Sequence, residues 1–256
     1  MPLSNQVALI TSSQRGRCST TARQLAAAGA FVMICGRNAA QGTETVTEIQ
    51  RSGGRASFVL TDIATHSDVQ AAIDETIATY GRLDILFNHA SSSRECDRAL
   101  SQVSENAWDR ITEAMLKGTF FCCQYALPFL QNADSGRIIN LVERDGPTQH
   151  YAASSICQGG LVALTQSISQ QYSNGSVVAN LIVSAPDVLS VPTLFTQNVL
   201  HGPSLSAVDP ASDSASRSAS DFADTSEAIM YLATDPHRLQ GYTLAVQSLS
   251  DTDSCL

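Results

Sequence analysis

His89, Glu143, His150 and Tyr151 are the residues of this sequence whose groups could do acid–base chemistry together. A carboxylate, a phenol and two imidazoles would suit proton transfer in a lyase, isomerase or cyclase. Each also has an ordinary reading. Glu143 stands beside Arg144 and Asp145, where it would face water, and His150 precedes a helix, where it would be solvated. Tyr151 lies four residues before Ser155, a spacing that puts two side chains on one helix face. The seven cysteines follow no metal-ligand spacing, so no metal site is expected.

Alternating strands and helices must position these groups. Short apolar runs suited to buried parallel strands occupy 6–11, 31–35, 56–60, 83–87, 137–142, 177–183 and 242–246. Helical patterns fall at 20–28, 39–52, 68–80, 105–129, 151–172 and 220–233. Strands alternating with helices require right-handed crossovers. The expected fold is α/β, a Rossmann-type doubly wound parallel sheet with helices on both faces, in a single domain over 1–256. His89 then follows the fourth strand and Glu143 the fifth. Residues 203–220, PSLSAVDPASDSASRSAS, are too poor in apolar groups to bury and read as a mobile loop.

The stretch YAASSICQGGLVALT, beginning at Tyr151, resembles the active-site helix of the short-chain dehydrogenase/reductase family, often written YAAYSASKGALVALT. The resemblance extends over nearly the whole chain. In that family a tyrosine donates a proton, a lysine four residues on activates it, a serine orients the substrate oxygen and an asparagine supports a water relay. Aligned without a gap on GGLVALT, the tyrosine position is Ser154 and the lysine position is Gln158. Tyr151 then falls on a non-catalytic upstream tyrosine. The asparagine position, within ITEAMLKGTFF, is Met115, and the serine position, after IINL, is Glu143. Methionine cannot hold water strongly. A carboxylate would oppose a developing alkoxide. All four roles are vacant, so no catalytic residue of the family's type is expected.

The cofactor positions implied by the resemblance are eroded too. The family's TGxxxGxG turn reads TSSQRGRC here, with Ser12 and Cys18 in place of glycines and only Gly16 kept. Gly36-Arg37 suits the 2′-phosphate of NADP better than the ribose of NAD, or Arg37 is simply solvated. Asp62 matches the aspartate facing adenine, and Asn88 and Ala90 survive where NNAG has become NHAS. Proline-glycine after the sixth strand becomes Ser184-Ala185. These positions are vestigial, and no cofactor is expected in this chain. The family's lid over the substrate would fall in 203–220, as a working lid or as a solvated loop.

The resemblance implies dimers and tetramers built on two long helices, here 105–129 and 151–172. Their apolar residues are kept, among them Leu116, Phe120, Phe121, Ala126, Leu161, Ala163 and Leu164. A lost site on kept assembly faces resembles the degenerate partner in two-subunit hydroxyacyl-CoA dehydrogenases of the family, such as the one in anaerobic toluene breakdown. The expected partner is a catalytically active paralogue carrying NAD or NADP, in a hetero-oligomer, a heterotetramer for choice. The other expectation is a lone enzyme with repurposed acid–base residues.

Charge narrows the partners further. The net charge of −9 and pI near 4.9 argue against nucleic acid or an anionic membrane. No apolar run reaches the roughly 18 residues of a membrane span. The N-terminus, MPLSNQVALITSS, has no basic n-region and runs straight into a strand. A cytoplasmic protein with reduced, mostly buried thiols is expected.

Overall fold

The computed structural model describes residues 1–11, 17–90, 98–143, 152–185, 225–235 and 239–247. Seven parallel strands form one sheet: β1 (Val7–Thr11), β2 (Phe31–Gly36), β3 (Arg55–Leu60), β4 (Ile85–Ala90), β5 (Gly136–Glu143), β6 (Val177–Ala185) and β7 (Thr243–Gln247). Their spatial order is β3-β2-β1-β4-β5-β6-β7. The order reverses beside β1, which makes this a doubly wound α/β sheet in a single domain. The expected fold class is therefore found.

Among the described residues, seven α-helices cover the sheet. On one face lie α1 (Arg17–Ala27), α2 (Ala39–Arg51) and α7 (Thr225–Thr234). The other carries α3 (His66–Tyr80), α4 (Glu105–Thr112), α5 (Gly118–Gln131) and α6 (Ala152–Gln171). Alternate strand residues feed the two cores. Ala8, Ile10, Phe87 and Leu141 pack toward α1 and α7, and Val7, Leu9, Leu86 and Ile138 toward α3 and α5. Both faces are covered, so the central strands are mostly apolar on both sides, with Asn88, His89 and Asn140 as polar exceptions.

Local chemistry sets the element ends. Asn38 and Ser104 cap α2 and α4 by accepting the N–H groups of Gln41 and Ala107. Gly81 ends α3 at φ 79°, a left-handed conformation that favours glycine. At the amino edge of the sheet the buried Asp84 accepts the Val7 N–H at 2.8 Å and a two-point bond from Arg82. The buried Arg137 donates to the carbonyls of Leu232 and Asp235, closing the carboxyl end of α7.

Two expectations change. The helix read as one rod over 105–129 is three pieces, with a π-helical turn, Glu113–Lys117, between α4 and α5. Gly118 follows it, and a Cβ there would stand 2.6 Å from the Ile63 carbonyl oxygen, so only glycine admits this approach. Leu161 and Ala126, read as assembly-face residues, are both 0% exposed within the chain's own core. The exposed large apolar residues of those helices are Trp108, Ile156 and Phe120; of the residues read as an assembly face, Phe120 and Ala163 are exposed. Residues 203–220 lie outside the described residues. No helix among the described residues is long and apolar enough to cross a membrane.

Candidate active-site cleft

The carboxyl edge of β1, β4 and β5 carries two polar constellations, one on each face. They start from neighbouring residues, because side chains alternate along a strand. Asn88 turns toward α5 and α6. It accepts from the Thr11 hydroxyl at 3.2 Å and donates to Asn140 at 2.9 Å and to the Cys123 sulfur at 3.4 Å. Asn140 donates to the Thr165 hydroxyl at 2.9 Å, and that hydroxyl donates to the Leu161 carbonyl at 2.7 Å. The ladder therefore links three strands to two helices with neutral groups.

His89 turns the other way, toward α1. Its Nδ1 lies 2.8 Å from the Cys18 sulfur. Its Nε2 lies 3.1 Å from a Glu143 carboxylate oxygen, without the alignment of a good hydrogen bond. The register explains the contact: His89 pairs with Leu141, and Glu143 stands two residues further along on the same face. Cys18 is the second residue of α1 and is 3% exposed; His89 is 5% exposed and Glu143 21%. Burial works to lower the His89 pKa. The adjoining Cys18 sulfur and the Glu143 carboxylate overcome it and hold the imidazole up at about 10. A protonated imidazole between sulfur and carboxylate is the favoured state at neutral pH.

The other sequence-predicted positions are placed as follows. Met115, in the π turn, is buried among Ile111, Val142, Ala153 and Cys157. Ser154 and Gln158 are buried one turn apart on α6, and Gln158 Oε1 has no hydrogen-bond partner among the described residues. Ser184 shares a 2.9 Å bond with the Thr225 hydroxyl at the start of α7. Asp62 accepts the Ala64 N–H at 3.1 Å, and its own N–H donates to Asp68. Arg37 is exposed and lines a cavity of about 360 Å³ with Cys18, Gly36 and Arg23, the last paired to Glu48 at 2.6 Å. Ser12, Gly16, His150 and Tyr151 lie outside the described residues.

The structure thus brings His89 and Glu143 together. It adds Cys18, which the sequence reading treated only as a lost glycine. A signal was available. Cys18 and His89 both depart from the pattern of the resemblance, and the fold puts the ends of β1 and β4 side by side. The five cysteines among the described residues are buried, and none is in a disulfide. Burial pushes Cys35 and Cys123 up to about 12, and Cys122 well above the usual thiol range. No cluster among the described residues could hold a metal ion.

Comparison with known proteins agrees with the fold. Residues 6–192 match the short chain dehydrogenase family. The chain is 32% identical, over 75% of its length and 76% of the relative's, to the (2S)-[(R)-hydroxy(phenyl)methyl]succinyl-CoA dehydrogenase subunit BbsD of Thauera aromatica. It is 28% identical to a 3-oxoacyl-[acyl-carrier-protein] reductase of Synechocystis over 91% of both chains. The crystal structure of a short chain dehydrogenase from Mycobacterium smegmatis superposes with a TM-score of 0.74 at 23% identity, over 96% of this chain and 93% of that one. The chain belongs to the short-chain dehydrogenase/reductase family.

Proposed function

We propose that this chain is a non-catalytic subunit that assembles with an active paralogue in an NAD(P)-dependent alcohol or hydroxyacyl-CoA dehydrogenase. One observation carries the reading. The four positions that would relay a proton hold a core methionine, a carboxylate facing His89, a serine and an uncharged amide with a buried, unpartnered oxygen. None can donate a proton to a carbonyl as an activated tyrosine does. The residues present also suit a dinucleotide poorly. Gln158 brings no charge to a ribose, the Ser184 hydroxyl is engaged with Thr225, and the Cys18 side chain takes the opening of α1, where the pyrophosphate would approach. Hydride transfer then falls to the partner, which holds NAD or NADP. The BbsD relative is by name a subunit of a hydroxyacyl-CoA dehydrogenase, and an analogous task is assigned here.

The assembly face supports the reading. Thr112, Leu116, Phe120, Gly160 and Leu164 line an open apolar groove of about 420 Å³ between the π turn, α5 and α6. Phe120 and Ile156 beside it are 44% and 49% exposed. Apolar surface of this kind marks an interaction site. The test is light scattering with size-exclusion chromatography on the protein alone and with its candidate paralogue, together with calorimetry for NAD and NADP. A mixed oligomer that turns over through the paralogue's site alone is expected, with no dinucleotide bound by this chain. A monomer that ignores the paralogue, or micromolar dinucleotide affinity, overturns the reading.

The His89–Glu143 pair favours a second reading, a lone enzyme with repurposed acid–base residues such as a lyase, isomerase or cyclase. Turnover by the isolated chain that is lost in Glu143→Gln would establish it.

A further inference from the structure

We propose that Cys18, His89 and Glu143 form a nucleophilic thiol site that takes small anionic disulfides into mixed-disulfide linkage. The geometry is that of a nucleophile, an imidazolium that pairs with its charge and an orienting carboxylate in series. The sulfur lies 2.8 Å from His89 Nδ1, and Glu143 lies 3.1 Å from Nε2 on the far side of the ring. Apart from this pair contact, the buried Nε2 makes no hydrogen bond. Cys18 is the second residue of an eleven-residue helix, whose amino end favours negative charge on sulfur. It also forms part of the wall of the 360 Å³ cavity, so a reagent has a route to it.

The cavity suggests the ligand's charge. Arg23 is engaged with Glu48, which leaves the exposed Arg37 to meet a carboxylate, with Glu44 as the opposing acid on the same wall. A volume of this size accepts a small molecule and no folded chain. Contrast with the other described thiols sharpens the assignment. Cys35 and Cys123 are held protonated by burial, and neither has an imidazole beside it.

The step is thiol–disulfide exchange. The Cys18 sulfur, as a thiolate paired with the protonated His89, attacks one sulfur of R–S–S–R, and the sulfur–sulfur bond of the reagent breaks. The other half of the reagent leaves as R–S⁻ and collects the proton of the His89 imidazolium. Cys18 ends as Cys18–S–S–R, and one reagent sulfur is reduced to the thiol. No other oxidant is needed.

The test uses the full chain, glutathione disulfide as the anionic probe and hydroxyethyl disulfide as the neutral one. Peptide mass spectrometry follows Cys18 separately from the other cysteines. Cys18 should react on the order of tenfold faster in the folded protein than in urea. The anionic probe should be preferred, and Arg37→Gln should remove that preference. His89→Gln should lose roughly a tenfold share of the rate at unchanged circular dichroism. If that variant does not fold, Glu143→Gln carries the same test. Slower reaction in the folded chain, or an equal rate in a folded variant lacking the imidazole or carboxylate, overturns the proposal.

Discussion

Asn88 and His89 are neighbours on one strand, and their surroundings differ in kind. Asn88 heads a ladder in which Thr11, Asn140 and Thr165 answer one another with neutral hydrogen bonds. His89 heads a cluster of ionisable groups, with a sulfur on one side and a partly exposed carboxylate on the other. The ladder ties strands to helices, and every bond in it runs between regular elements. The cluster ties the first turn of α1 to the last residue of β5, at the edge where a ligand would enter an open α/β sheet. The same backbone thus holds a rigid polar seam on one face and a charged, under-bonded group on the other. Satisfied neutral networks specify packing, and ionisable groups kept short of partners at a cleft point to chemistry.

The ladder gives the largest expected effect. Asn140→Ala removes the acceptor of Asn88 and the donor to Thr165, leaving buried polar atoms unmatched. The unfolding free energy should fall by about 3 kcal/mol, read from the urea midpoint. A loss below about 1 kcal/mol would mean that water takes over the ladder and that it does not hold the fold.

The cluster comes next. Glu143→Gln leaves a buried imidazolium without its carboxylate, at a place still partly open to solvent. A loss of about 1–2 kcal/mol at neutral pH is expected. The joint change His89→Leu with Glu143→Leu should recover most of that loss, since it removes both charges. pH resolves the two further. The folded pKa of His89, about 10, lies above the ordinary 6.5, so the fold binds its proton more tightly than the unfolded chain does. That contribution is complete below about pH 6.5 and drains away as pH rises toward 10. Urea midpoints should therefore decline over that window, and His89→Gln should flatten the decline. The groups facing the ring are Cys18 and Glu143, so the Cys18→Ala variant should show an intermediate slope.

The assembly face is a third and smaller case for the isolated chain. Leu164→Asp places a carboxylate in the open groove beside Phe120. Because that surface is partly exposed, the chain alone should lose under about 1 kcal/mol. Co-elution with a paralogue should be abolished, which separates assembly from folding.

Much of this fold was legible because buried parallel strands are long apolar runs with helix-breaking signals between them. The runs at Val7–Thr11 and Val177–Ala185 need no partner to be recognised. The π turn was not legible. Ile111 and Met115 keep helical spacing through it, and the close approach beside it, the Ile63 carbonyl against Gly118, comes from a distant part of the chain. The burial of Leu161 was missed for a related reason: an apolar helix face does not say whether its cover is the same chain or another. At the site, the positions of Met115, Glu143, Ser154 and Gln158 came from a pattern of spacings, which survives the loss of the groups themselves. The Cys18–His89 contact joins residues 71 apart. Only the register of β1 against β4 and the seating of α1 bring them together, and neither is written in local periodicity.

The smallest expected effect concerns Gln158, on α6. Gln158 stands where the family pattern has lysine, and its Oε1 is buried with no partner. An orphaned buried acceptor costs free energy that an apolar group of similar shape does not. Gln158→Met should therefore be neutral or stabilise by up to about 1 kcal/mol, seen as a small rise in the urea midpoint. Gln158→Lys should do the reverse. It restores the family's residue type but buries a cation beside Ser154 and Cys157, with no tyrosine to serve. Were Gln158 to hold a ligand through that oxygen, Gln158→Met would instead weaken binding while Gln158→Lys strengthened the grip on any anion. The two substitutions, compared with and without NADP, move in opposite directions under the two views. A stabilised methionine variant with no dinucleotide response places Gln158 with the packing side chains.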